Sequence, residues 1–150
     1  MTRREMREHC FKMLFGVDFY PADEAAGQVE QYFNSPDEDD TTPEGVSEIL
    51  HHVEMTDADR VFLSGRVEDM ASKFQELDEK INKVAQGWKT RRMGKVELTI
   101  LRQALYEMEY DEDVPQKVAI NEAVDLAKKY GGKDSPAFIN GVLAKLVTVE

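Results

Sequence analysis

"GKVELTILRQALYEMEYDEDVPQKVAINEAVDLAKKYGGKDSPAFINGVLAKLV", residues 94–147, decides the fold. Its apolar positions recur at intervals of three and four, the period of helices laid on a core. Val96, Ile100, Leu101, Ala104, Leu105 and Met108 form a stripe broad enough for a central core helix. "DEDVP" (Asp111–Pro115) is a turn, and the helix after it is lined by Val118, Val124, Ala127 and Tyr130. Gly131 and Gly132 stop that helix, where a left-handed C-terminal cap is expected. Ser135 then reads as a cap and Pro136 as the first residue of a last helix, with Ile139, Val142, Leu143 and Leu146 facing inward.

Toward the N-terminus the same period continues. A basic connector, Gly87–Gly94, follows a long helical stretch that Thr56 caps. That stretch places Phe62, Val67, Met70, Ala71, Phe74 and Leu77 on one face, and Ile81 and Val84 follow a restart near Asp78. A short helix is expected from Pro43, carrying Val46, Ile49, Leu50 and Val53. "NSPDEDDTTP" (Asn34–Pro43) breaks the pattern as an acidic surface loop, and the helix before it carries Ala22, Ala25, Ala26, Val29 and Phe33. The first helix runs from a Thr2 cap to about Phe19, ended by Pro21, with Met6, Cys10, Leu14 and Val17 at helical spacing. Thr2 and Glu5 have the spacing of a capping box. Strand signals are absent. The class is therefore all-α: a compact bundle of about seven helices, one domain in two helical halves of about 1–76 and 77–150.

Composition excludes several functions. No apolar run approaches the roughly 18 residues that a membrane span requires, and the charged N-terminus lacks the apolar segment of a secretory signal. A cytoplasmic protein that engages no membrane is expected. A single cysteine, Cys10, permits no internal disulfide and reads as a buried apolar side chain. The three histidines lack the spacing of a metal site, so no metal and no cofactor are expected. Nothing supplies the nucleophile, base and orienting group of a hydrolytic site, so an enzyme is not expected.

Charge is unevenly placed. The net charge is −11, and no Lys or Arg occurs between Asp18 and Asp59. Positive charge gathers instead in Arg3, Arg4, Arg7 and Lys12, and again in Lys89, Arg91, Arg92 and Lys95. A polyanion responds to such local patches, because charge on a distant face is screened over about 8 Å at physiological salt.

The run "VPQKVAINEAVDLAKKYG" at fixed distance from "DSPAFINGVL", with "RREMREHCFKMLF" at the start, resembles the transcription antitermination factor NusB family. The likeness covers about the first 20 residues and Gly94–Leu146, while the acidic middle agrees only in length and helical pattern. It implies a two-part helical fold without catalytic activity. It also implies binding of boxA, a short single-stranded RNA element of nascent ribosomal RNA transcripts, jointly with NusE, a small-subunit ribosomal protein. Assembly with other Nus factors on RNA polymerase is implied too, and some members of the family form homodimers.

Cations along phosphates and rings under unpaired bases are what single-stranded RNA requires. Arg3, Arg4 and Arg7 supply the first, Arg3 and Arg7 one turn apart on a shared face; a solvated helix face is the alternative. Asp134, Ser135, Phe138 and Asn140 match family positions that face RNA or shape its surface. Simple capping accounts for Asp134 and Ser135 equally, and core packing competes for Phe138. Phe15 stands where the family carries a tyrosine, keeping a stacking face without the hydroxyl, with core burial as the alternative. Glu97 matches an acidic position on the partner and RNA surface, although an acid in a first helical turn also complements the dipole. Arg92 and Lys95 are basic neighbours assigned to the same surface. Two other readings are an acidic helical adaptor with no role in nucleic-acid binding, and a module of an RNA cytosine methyltransferase; the glycine-rich loop and cysteine motif of the latter are absent here.

Overall fold

The computed structural model describes residues 2–18, 24–34, 39–41, 47–49, 55–85 and 93–149. They divide into two compact units, Met1–Glu68 and Asp69–Glu150. Seven α-helices make up almost all of the described structure, so the all-α class holds. No helix among the described residues is long and apolar enough to cross a membrane.

In the first unit, α1 (Arg3–Val17) buries Cys10, Phe11, Met13, Leu14 and Val17 along one side. Its capping box forms as the sequence indicates: the Glu5 amide donates to Thr2 Oγ1 at 3.1 Å and the Thr2 amide to Glu5 Oε1 at 3.2 Å. The second helix, α2 (Ala25–Asn34), packs on α1 with Val29 buried. His9, itself buried, shares a hydrogen bond of 2.6 Å between its Nδ1 and the Tyr32 hydroxyl.

The region given to an acidic loop and a short helix contains instead an antiparallel pair, β1 (Asp39–Thr41) and β2 (Ser47–Ile49), with Asp40 opposite Glu48. This corrects the helix expected from Pro43. Helix nucleation is costly in so short a run, and its β-branched residues favour extended backbone. Val46, Leu50 and Val53 lie outside the described residues, as do Phe19 and Pro21.

The third helix, α3 (Asp57–Ser72), begins at a second reciprocal cap, with Thr56 and Asp59 exchanging backbone-to-side-chain bonds of 3.1 Å. Its buried row is Leu63, Val67, Met70 and Ala71. Phe62, expected on that face, is 44% exposed, because it lies about 100° around the helix from Leu63. The Arg66 guanidinium sits 4.8 Å from the Phe62 ring centroid.

The break before α4 (Phe74–Val84) comes at Lys73 rather than near Asp78. Ser72 Oγ donates to the Asp69 carbonyl at 2.6 Å, and the Lys73 amide reaches only to Met70 O, tightening the turn. Asp78 has a different role: both its oxygens accept from Arg102 at 2.7 Å, and the Arg102 guanidinium lies 4.0 Å from the Phe74 ring centroid.

In the second unit α5 (Lys95–Tyr110) is the centre, packed against α4, α6 (Gln116–Tyr130) and α7 (Ser135–Val149). Every residue from Leu98 to Glu107 is buried. Thr99 Oγ1 donates to the Lys95 carbonyl at 2.6 Å, while Arg102 Nη1 and Gln103 Oε1 are buried without a hydrogen bond of their own. The buried row of α6 is Ala119, Ala123, Leu126 and Ala127, whereas Val118 is 42% exposed. The expected valine-lined stripe is therefore displaced, and alanines at four-residue steps let α6 lie close against its neighbours. Gly131 has φ −93° and ψ 179°, extended and not left-handed. The α7 face of Ile139, Val142, Leu143 and Leu146 is buried as expected.

Candidate nucleic-acid interface

The cap at Thr2 fixes where the arginines of α1 emerge. Arg3 and Arg4 are exposed on the first turn and Arg7 is half-buried one turn later. Because eleven residues make about three turns, Phe15 falls on the same side of the helix as Arg4. It is half-buried, its ring 6.3 Å from that of the buried Phe11. Hydrogen bonding from Thr2, first through the side chain and then through the backbone, holds the Glu5 carboxyl below its ordinary range. Glu5 thus remains an anion committed to the cap, and the arginines around it keep the turn cationic.

In the second unit the first turn of α5 meets the entrance of α7. Ser135 Oγ donates to Glu97 Oε1 at 2.7 Å and accepts from the Gly132 amide at 3.0 Å. Ser135 is 6% exposed and Glu97 is half-buried, while Lys95, Lys133, Asp134 and Asn140 are exposed and Phe138 is half-buried. Helix α7 starts at Ser135, so the Ser135 hydroxyl holds the preceding turn and a neighbouring helix instead of capping its own. Pro136 is thus the second helical residue, still within the turn whose amides have no intrahelical acceptor.

Glu97 and Ser135 are therefore brought together, as are Arg3, Arg4 and Arg7 along one helix. Arg92 lies outside the described residues. Sequence reasoning missed Gly94 and Gly131 as members of this neighbourhood. A Cβ on Gly94 would lie 2.7 Å from Glu97 Oε2, and one on Gly131 would lie 2.6 Å from both Cβ and Oγ of Ser135. The available signal was a glycine at each helix boundary, but nothing in the sequence says which side chain three or four residues on each makes room for. Among the described residues no cluster of His, Cys, Asp or Glu could hold a metal ion.

The family model for NusB matches residues 4–148. The chain belongs to the NusB family. It is 44% identical over 147 residues to the transcription antitermination protein NusB of Lachnoclostridium phytofermentans, covering 98% of this chain and 99% of that protein. The NusB of Agathobacter rectalis is 43% identical over 145 residues, covering 97% and 98%. Among solved structures, T. maritima NusB superposes with a TM-score of 0.77 at 24% identity, covering 99% of this chain and 92% of that one. A chain from the "Crystal Structure of a Plectonemic RNA Supercoil" superposes with a TM-score of 0.71 at 23% identity, covering 98% and 94%. NusB proteins are transcription antitermination factors and not enzymes, which places this chain in that process.

Proposed function

We propose that this NusB-family chain binds a boxA-type single-stranded RNA of nascent ribosomal RNA transcripts together with NusE, as part of an antitermination complex with other Nus factors on RNA polymerase. The carrying observation is the exposed arginine turn of a capped helix, Arg3 and Arg4 followed by Arg7, in a protein of net charge −11. A local cationic turn contacts phosphate, and the acidic remainder suits a basic ribosomal partner by long-range attraction. Phe15 in the first unit and Phe138 in the second supply rings for stacking; Asp134 and Asn140, with Lys95 and its sequence neighbour Arg92, are assigned to RNA contact in the second unit, and Ser135 and Glu97 support that surface.

The test is a titration of boxA RNA, with and without NusE, across a salt series. For Z phosphates neutralised on a single strand, log affinity falls against log salt with a slope of about −0.7Z. Replacing Arg3, Arg4 and Arg7 by alanine is expected to weaken binding and bring the slope nearer zero by up to about 2. NusE is expected to sharpen preference for boxA over a scrambled strand. A response flat in salt and indifferent to the three arginines would favour the acidic adaptor.

A further inference from the structure

We infer that Glu97 and Ser135 are positioning residues: a carboxylate-to-hydroxyl latch that sets the Gly131–Asp134 turn and the entrance of α7 for RNA, without touching the strand. This assignment rests on the RNA reading above and gives these two residues a different role from a contact surface.

A serine hydroxyl has one proton to donate, and that of Ser135 goes to Glu97 Oε1 at 2.7 Å. Ser135 Oγ in turn accepts from the Gly132 amide at 3.0 Å, and the Ser135 amide returns a bond of 3.1 Å to the Gly132 carbonyl. Gly132 is thus held through both its polar backbone groups. The hydroxyl is buried, and its proton is already committed to the carboxylate. Glu97 carries a charge of the same sign as phosphate, so direct contact with the strand would repel it.

Two glycines make the latch sterically possible. Gly94 leaves the volume into which the Glu97 carboxylate folds, since a Cβ there would stand 2.7 Å from Oε2. Gly131 leaves room for Ser135, whose Cβ and Oγ would both lie 2.6 Å from an added methyl. Each glycine makes room within its own segment, Gly94 at the start of α5 and Gly131 in the turn before α7, and the Ser135–Glu97 bond joins the two. What they fix is the backbone carrying the exposed Lys133 and Asp134, and the first turn of a helix bearing Phe138 and Asn140. A surface held in its binding geometry beforehand spares the ordering cost of association.

Glu97→Gln, Glu97→Asp and Ser135→Ala, in the full chain, separate reach from charge. Glutamine keeps an acceptor at the same distance without the charge; aspartate keeps the charge but withdraws the oxygens by one carbon. Amide exchange of the free protein is expected to quicken at Gly132 in E97D and S135A and to stay unchanged in E97Q. With NusE present, boxA RNA is expected to bind about tenfold more weakly to E97D and S135A, at unaltered salt slope, while E97Q matches the unmodified chain. Exchange at Gly132 that ignores S135A overturns the latch. Tighter RNA binding by E97Q than by the unmodified chain also overturns it, because relief of repulsion would place Glu97 on the strand. If the unmodified chain binds no boxA RNA, the functional reading fails, and exchange in the free protein separates that failure from one of the latch.

Discussion

A methyl group on Gly131 would stand 2.6 Å from Ser135 Cβ and Oγ and 2.9 Å from the Ala127 carbonyl, while one on Gly132 would meet nothing within 4 Å. Backbone conformation forbids neither substitution, so the pair isolates crowding from strain. Gly131→Ala is expected to lower unfolding free energy by about 1–3 kcal/mol in urea titrations, as overpacking does. Gly132→Ala is expected to leave it unchanged or to raise it by up to about 1 kcal/mol, through a less flexible unfolded chain. Equal effects at both would refute the steric account. At this scale the Thr2–Glu5 capping box and the cap at Thr56 were legible because capping acts over three residues, while the return bond from the Thr56 amide to Asp59 was not read. The bond from Ser135 to Glu97 was not, since 38 residues separate them and neither has a local signal for the other.

Between α4 and α5, and at the end of α3, polar side chains join the helices. Lys73 Nζ and the Tyr106 hydroxyl each donate to Asp69 at 2.6 Å; Tyr110 donates to Glu76; Lys80 reaches Glu109 at 2.6 Å and Glu76 at 3.3 Å. Hydrogen bonding from Lys73 and then Tyr106 holds the Asp69 carboxyl below its ordinary range, and Tyr110 does the same for Glu76. A carboxyl lowered on folding contributes stability above its unfolded pKa and loses it as pH falls through the lowered folded value. Lys80, raised chiefly by Glu109, and Tyr110, raised chiefly by Glu76, lose theirs only as pH climbs through their raised values. Urea unfolding across pH is therefore expected to show declines at both ends, and Asp69→Asn to flatten the acid decline; an acid limb unaltered by D69N would contradict this assignment. Helix existence and order were readable from apolar spacing here. The α3–α4 break was misplaced because it depends on a Ser72 hydroxyl competing for a backbone carbonyl, and the α6 stripe because close approach selected alanines over the larger Val118 and Val124.

Over the whole molecule, a net charge of −11 has two consequences of opposite sign in salt. Self-repulsion of the folded chain is screened as ions are added, so its thermal midpoint is expected to rise between about 50 and 200 mM salt. RNA affinity is expected to fall over the same interval through lost counterion release. A midpoint that falls alongside affinity would show that attractive ion pairs, such as Arg102 with Asp78, outweigh the net repulsion. The motif-bearing last third was the most legible part, because its turns and apolar periods agree with one another from Gly94 onward. The acidic middle was the least, because its short apolar runs fit a helix or a strand equally well. The alanine seam of α6 finally divides what mutation can change from what it cannot. Ala119, Ala123 and Ala127 are buried, where a bulkier side chain is costly, whereas exposed Lys117, Asp125 and Lys128 can be recoloured in charge, so sequence drift retunes this helix's electrostatics more readily than its thickness.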